Sequence, residues 1–285
     1  MGQKLSLERL ETISNTIRED IIRMLEKAGS GHSAGPLGLA DIFTAFYFEI
    51  LNHDPHKPDW SERDVLLLSN GHCTPVRYAA MAEAGYFDKK ELMTLRQLGS
   101  RLQGHPERTK LPGLENTSGP LGSGLSQACG MALAMRMDGQ THRRVYVVMG
   151  DGEQDEGNVW EAAMLAGKYK LSNVIAITDR NNIQIDGPTE SVMPLEDLKE
   201  KWEAFGWHVI EINGNDIEAV IDACGMAKAI AEKPIMIIAH TIPGKGVDFM
   251  ESDFHWHGMP PDHEQAKKAL HELRTLGGKI RGEHE

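Results

Sequence analysis

Cysteine is scarce in this sequence: Cys73, Cys129 and Cys224 are the only three in 285 residues. They form no Cys-x-x-Cys pair and no even set, which excludes a disulfide framework and reads as reduced thiols in a cytosolic protein. Long apolar runs are absent too. No stretch of 18 apolar residues occurs, and the N-terminus has no apolar signal-peptide core, so no membrane span is expected. Positive charge is in deficit, with 30 Lys and Arg against 42 Asp and Glu, a net charge of −12. Such a chain repels nucleic-acid phosphates on average, so any anionic ligand must be caught by local backbone donors, histidines or a metal. Composition is otherwise ordinary, at 40% hydrophobic and 25% charged with 29 Gly and 13 Pro, which excludes disordered, collagen-like and low-complexity classes. The opening Met1-Gly2-Gln3-Lys4-Leu5-Ser6 fits the lipidation pattern M-G-x-x-x-[ST]. So short a pattern recurs by chance and nothing else suggests a membrane. The expectation is a soluble, cytoplasmic, unlipidated protein.

What is present is a repeating alternation. Leu10, Ile13, Ile17, Ile21 and Leu25 form one stripe of an amphipathic helix that stops before Ala28-Gly29-Ser30-Gly31. A second apolar helix is expected over Leu39–Ile50. Five short apolar runs come after it, Val65–Ser69, Val145–Met149, Val174–Thr178, His208–Ile212 and Ile235–His240, of the kind that form buried parallel strands. Helical patterns at Leu125–Met137, Trp160–Tyr169 and Ile217–Ala231 separate them. This is the pattern of an α/β fold, a three-layer α/β/α arrangement around a mostly parallel sheet. With no internal repeat and no linker, residues 1–285 read as one domain, a core of about 10–260 and a helical arm from about Pro261 onward. The Met131, Met135 and Met137 group reads as packing rather than as a ligand set.

The decisive pattern lies directly after the strands. Val65–Ser69 runs into Asn70-Gly71-His72, Val145–Met149 into Gly150-Asp151-Gly152, and Val174–Thr178 into Asp179-Arg180-Asn181-Asn182. In open α/β sheets, ligands bind beyond the carboxyl ends of the strands. Asn181 lies 30 residues beyond Asp151, one βαβ crossover. If the two strands are neighbours, a carboxylate and an amide oxygen meet at one sheet edge. Hard oxygen donors of this sort suit Mg²⁺, with Ca²⁺ as an acceptable substitute, bridged to a phosphate-bearing ligand. An amide in place of a second carboxylate avoids repelling a diphosphate, and the glycines let backbone N–H groups approach it. A lone Gly-Asp-Gly is an ordinary turn; the added Asn-Asn at this spacing, after a second strand, makes the pattern specific.

Gly150-Asp151-Gly152 through Asn181-Asn182 resembles the thiamine diphosphate motif. Ser30-Gly31-His32-Ser33-Ala34-Gly35, Ser69-Asn70-Gly71-His72, Gly104-His105-Pro106-Glu107, Gly119-Pro120-Leu121-Gly122 and Trp256-His257-Gly258 narrow the resemblance to transketolases, over about residues 10–262. The chain is most similar to the N-terminal, pyrophosphate-binding subunit of the split, two-chain bacterial and archaeal form. Asn182-Ile183-Gln184-Ile185-Asp186-Gly187 and Gly244-Lys245-Gly246-Val247 support that narrower match.

The resemblance implies a thiamine diphosphate-binding fold and transfer of a two-carbon ketol unit from a ketose or ketose phosphate to an aldose or aldose phosphate, with a pentose phosphate, a sulfonated sugar and a branched sugar all left open. Asp151, the Asn181 side chain and the Ile183 carbonyl would hold Mg²⁺. Gly150 and Gly152 would meet the diphosphate, Gly119 and Leu121 the aminopyrimidine ring, and Asp179 would support the site. His32, His72, His105 and His257 would line the reaction channel, His72 and His257 also touching the cofactor. Each lies beside a glycine, and imidazole can donate, accept or carry a proton near neutrality. His53, His56, His142, His263, His271 and His284 read instead as solvated, while His240 and His255 carry no assigned role. Glu156 and Glu161 would lie at a subunit interface, although helix N-terminal acids complementing a dipole would look the same. Ser123 departs from the family pattern, which has Gln there. The resemblance leaves no room for the pyrimidine-binding domain that carries the activating glutamate and most substrate-phosphate contacts. A partner C-terminal subunit is expected to supply it, in an α₂β₂ assembly. Other thiamine enzymes, such as a 2-oxoacid dehydrogenase α subunit or a deoxyxylulose phosphate synthase, share only the shorter motif; a non-catalytic paralogue would not need the histidines.

Overall fold

The chain enters its fold through α1 (Leu7–Ala28). The computed structural model describes residues 5–284, with side chains described for 5–280, so Met1–Lys4 of the lipidation pattern and the His284 side chain lie outside the described residues. Ser6, the last residue of that pattern, accepts the Arg9 N–H at 3.3 Å and caps the helix. Leu10, Ile13, Ile17, Ile21 and Leu25 are all buried, as the stripe predicts. Truncating one such residue to Ala typically costs about 2–5 kcal/mol. The helix ends at a left-handed Gly29, whose N–H bonds the Leu25 carbonyl at 2.9 Å.

The second helical segment starts earlier than expected. It runs as α2 (Ala34–Gly38), bends at Leu39, resumes as α3 (Ala40–Ala45) and closes in a π-helical turn over Phe46–Ile50. The hydrogen-bond ladder continues through the bend, Leu39 N–H to Gly35 O and Phe43 N–H to Leu39 O, both 3.0 Å. Ala-Gly-Pro-Leu-Gly has no apolar period, which is why the sequence pattern begins only at Leu39.

The strands, in chain order, are β1 (Val65–Leu68), β2 (Val145–Gly150), β3 (Val174–Arg180), β4 (Ile183–Gln184), β5 (Gly187–Pro188), β6 (His208–Asn213) and β7 (Ile235–His240). Five of them form a parallel sheet in the order β1-β2-β3-β7-β6; β4 and β5 make a small antiparallel ladder. Between and after them lie α4 (Thr74–Glu83), α5 (Ser123–Met137), α6 (Gly157–Tyr169), α7 (Thr189–Val192), α8 (Leu198–Ala204), α9 (Ile217–Ala229) and α10 (His263–His284). The three expected helices are α5, α6 and α9, and the C-terminal arm is α10, which packs on α1.

Alternation along each strand divides the core into two layers. Leu66, Leu68, Tyr146, Val148, Ile175 and Ile177 face the cluster built by α1, α3, α4 and α9. Val65, Leu67, Val145, Val147, Val174 and Ala176 face that of α5, α6 and α8. Both faces are covered, as a parallel sheet requires. Met135 is buried and Met131 half-buried, but Met137 is exposed at the end of α5, a correction to its reading as packing. No helix among the described residues is long and apolar enough to cross a membrane.

Candidate functional site

β2 and β3 are neighbours, with Gly150 opposite Asp179, so Asp151 and Asn181 leave the sheet side by side. They flank a cavity of about 230 Å³ whose walls also include His32, His72, Leu121, Gly150, Gly152, Glu153, Asp179, Ile183 and His257. Asp151 is 1% exposed. Its Oδ1 accepts the Gly152 N–H at 2.7 Å; its Oδ2 accepts the Asn182 N–H at 2.7 Å, Arg180 Nη1 at 3.1 Å and the Thr189 hydroxyl at 3.4 Å. Asn182 adopts a left-handed φ of 62°, which aims its N–H back at Asp151, and Asn tolerates that conformation better than most residues. Asp179 accepts the Thr241 hydroxyl on one oxygen and the Asn181 amide, at 2.9 Å, on the other. Asn181 Oδ1 is thereby turned away from Asp179 and takes the Ile183 N–H at 3.1 Å.

Burial raises the pKa of all three acids at this end, Asp151, Glu153 and Asp179. For Asp179 burial outweighs its Thr241 hydrogen bond, and with the neighbouring charge of Asp151 it pushes the carboxyl up to about 7. Arg180 supplies a compensating cation, bridging Asp151 to Glu190 at 2.5 Å.

Another part of the lining is histidine. Ring centroids of His32 and His72 are 4.8 Å apart, those of His72 and His257 5.3 Å, and those of His32 and His257 5.7 Å. Desolvation and mutual repulsion lower His32 to about 4 and hold His72 well below its ordinary value; burial lowers His257. These imidazoles are neutral near pH 7 and able to donate and accept. His105 is exposed at the rim and is not part of the cavity wall; a Cβ on Gly119 would meet its ring at 3.9 Å. Its pKa is lowered by partial desolvation of the ring and by Arg96, which also repels His32.

A family profile described as "Transketolase, thiamine diphosphate binding domain" matches residues 10–276. The chain belongs to the transketolase family. It is 44% identical over 268 residues to the 6-deoxy-6-sulfo-D-fructose transketolase subunit of Clostridium sp. (strain MSTE9), covering 94% of this chain and 97% of that one. To an apulose-4-phosphate transketolase subunit of Phocaeicola vulgatus it is 40% identical over 280 residues, covering 98% and 99%. Against the solved transketolase of Campylobacter jejuni the TM-score is 0.88 at 37% identity, over 95% of this chain but only 43% of that one.

The residues at the acidic end have the chemistry to take a diphosphate and a hard divalent cation. One carboxylate, one amide oxygen and one carbonyl make a hard-cation donor set with a single protein charge. Asn70 Oδ1, His32 Nδ1 and His257 Nδ1 are buried without a hydrogen-bond partner at the same cavity, an exception to the rule that a polar ligand would remove. Leu121 lines the cavity and Gly119 sits behind the rim with His105. Glu156 and Glu161 are exposed, at and just inside the start of α6. Ser123, where transketolases carry Gln, donates to the Pro120 carbonyl at 2.9 Å and so tightens the turn before α5.

Other histidines behave differently from one another. His56, His142, His263 and His271 are exposed, as expected, and so are His240 and His255 beside Glu211 and Asp253. His53 is a correction: it is half-buried, stacked on Tyr86 and bonded to the Tyr86 hydroxyl at 2.9 Å and the Tyr47 carbonyl at 2.8 Å. Its polar sequence neighbours conceal the two tyrosines that the fold brings to it. Glu153, Arg180, Thr241 and Arg96 carry no signal of their own in the sequence. Arg180 and Glu153 adjoin motif residues, but nothing in one dimension shows their side chains folding back.

Proposed function

We propose that this chain is the thiamine diphosphate-binding subunit of a two-chain transketolase that moves a two-carbon ketol unit between sugars bearing an anionic group. The observation that carries the reading is one cavity with oxygen donors on one part of its lining and neutral histidines on another, inside a chain covered almost throughout by the family profile. Relatives named as transketolase subunits are matched over 97–99% of their length, single-chain human transketolase over 42%. Pyrimidine-side residues, the activating carboxylate among them, are therefore assigned to a partner subunit in an α₂β₂ assembly in the cytoplasm, with Glu156 and Glu161 facing that partner.

When bound, thiamine diphosphate supplies the nucleophilic carbon for making and breaking the C–C bond. Asp151, Asn181 Oδ1 and the Ile183 carbonyl would hold Mg²⁺, which neutralises the diphosphate in a chain of net charge −12. Gly150 and Gly152, without side chains, would let the phosphates come close to the backbone, the backbone at Gly119 and Leu121 would seat the pyrimidine side, and Asp179 would hold Asn181 in orientation. His32, His72 and His257 would orient substrate hydroxyls and move protons without introducing charge, with His105 at the entrance. The names of two relatives, one acting on a sulfonated sugar and one on a sugar phosphate, favour an anionic sugar as substrate.

The test is to purify the chain alone and co-expressed with a candidate partner, then assay ketol transfer from a ketose phosphate. Activity only in the mixture is expected. Full activity of the isolated chain would overturn the two-chain reading.

A further inference from the structure

Glu153 is 3% exposed, yet it lies on neither a salt bridge nor the proposed metal donor set. One oxygen accepts the Ser69 hydroxyl and the Gly122 N–H, the latter at 2.7 Å; the other accepts the Gly150 N–H at 2.9 Å. The Ser69 oxygen in turn accepts the Gly124 N–H at 3.0 Å. A single buried carboxylate thus ties together the end of β1, the turn that opens α5 and the end of β2. Burying a carboxylate costs several kcal/mol unless charge-assisted hydrogen bonds offset it, and here donors meet both oxygens. A turn that needed only a cap would not require a buried charge.

We infer that Glu153 is a positioning residue that sets the spacing between the two halves of the cofactor seat, the Gly119–Gly122 turn on the pyrimidine side and the Gly150–Gly152 turn on the diphosphate side. This rests on the cavity being the thiamine diphosphate site. The side chain must accept at both ends: glutamine would turn an NH₂ toward a backbone N–H, and aspartate is one methylene short. The turn cannot easily drift to compensate. Gly122 holds a left-handed φ of 78°, and a Cβ there would lie 2.0 Å from Asn158 Oδ1, so its neighbours already enclose it.

Inorganic pyrophosphate occupies only the diphosphate half, whereas thiamine diphosphate spans both. Calorimetry of the full chain with each ligand, in Mg²⁺, separates spacing from local damage. Glu153→Gln should weaken thiamine diphosphate binding about 10–100-fold, as loss of a group orienting binding residues commonly does. Pyrophosphate affinity should fall clearly less, because of the Glu153 contacts only the one to Gly150 lies on the diphosphate half. Ser69→Ala, which cuts only the links to β1 and Gly124, should move the same ratio in the same direction by less, and it carries the test if the Glu153 variant does not fold. Equal losses for both ligands, or unchanged thiamine diphosphate affinity in a folded variant, would overturn the inference. A wild-type chain that fails to bind thiamine diphosphate would instead overturn the cofactor reading beneath it.

Discussion

The two walls of the cavity are built on opposite terms. At the acidic end every oxygen of Asp151, Glu153 and Asp179 has a donor from this chain, so that wall is organised before any ligand arrives. At the histidine end His32 Nδ1 and His257 Nδ1 are buried and unpartnered, and the rings hold one another by packing. A prearranged anion-and-metal seat needs fixed geometry, because coordination falls off steeply with misplacement. A surface that must serve several protonation states and substrate hydroxyls gains from free hydrogen-bonding capacity. On the proposed function, the first wall would serve affinity and the second turnover.

The sharpest way to break that division is Asp151→Ala. It removes the charged donor and leaves Arg180 paired only with the more exposed Glu190. Mg²⁺-dependent thiamine diphosphate binding should fall below detection; unchanged affinity by calorimetry would end the metal assignment. His105→Ala tests the rim beside the histidine wall. With a partner present, turnover should fall about 10²-fold, the low end for a proton-transfer or hydrogen-bonding group because the ring is exposed, with cofactor affinity nearly intact. Equal turnover would make His105 structural.

Protonation sharpens the contrast further. In the folded chain His32 titrates at about 4, against an ordinary 6.5, chiefly through burial. Below pH 6.5 the unfolded chain therefore binds more protons, so this contribution is complete above 6.5 and is lost as pH falls toward 4. Asp179, raised from 3.8 to about 7, works in the opposite sense: its contribution is complete below 3.8 and lost as pH rises to 7. In the cofactor-free chain, His32→Asn should flatten the acid-side fall in melting temperature, and Asp179→Asn should steepen it. Each group accounts for at most about 1.4 kcal/mol per pH unit. Identical pH profiles for the two variants would mean the walls do not differ electrostatically. The smallest effect belongs to a control remote from both: Ser6→Ala should cost about 1 kcal/mol of stability through the lost cap and leave ligand affinity untouched.

The sequence alone determined the layers and the address of the site. Short continuous runs of Val, Ile and Leu become strands buried on both faces, and a 3.6-residue stripe becomes α1, because burial of apolar surface acts on spacing that is visible in one dimension. Glycine, histidine and carboxylate residues directly after those runs had to gather at the carboxyl edge, since parallel strands point one way. Only the tertiary structure decided which side chains finish the site. Glu153 carries no signal of its own until three segments converge on it, and His53 reads as solvated until Tyr47 and Tyr86 close around it. Thr241 reaches Asp179 from 62 residues away. Such partners are set by how β7 lies against β3 and how α5 approaches β1, and a hydrogen bond between distant residues leaves no periodic trace in the chain.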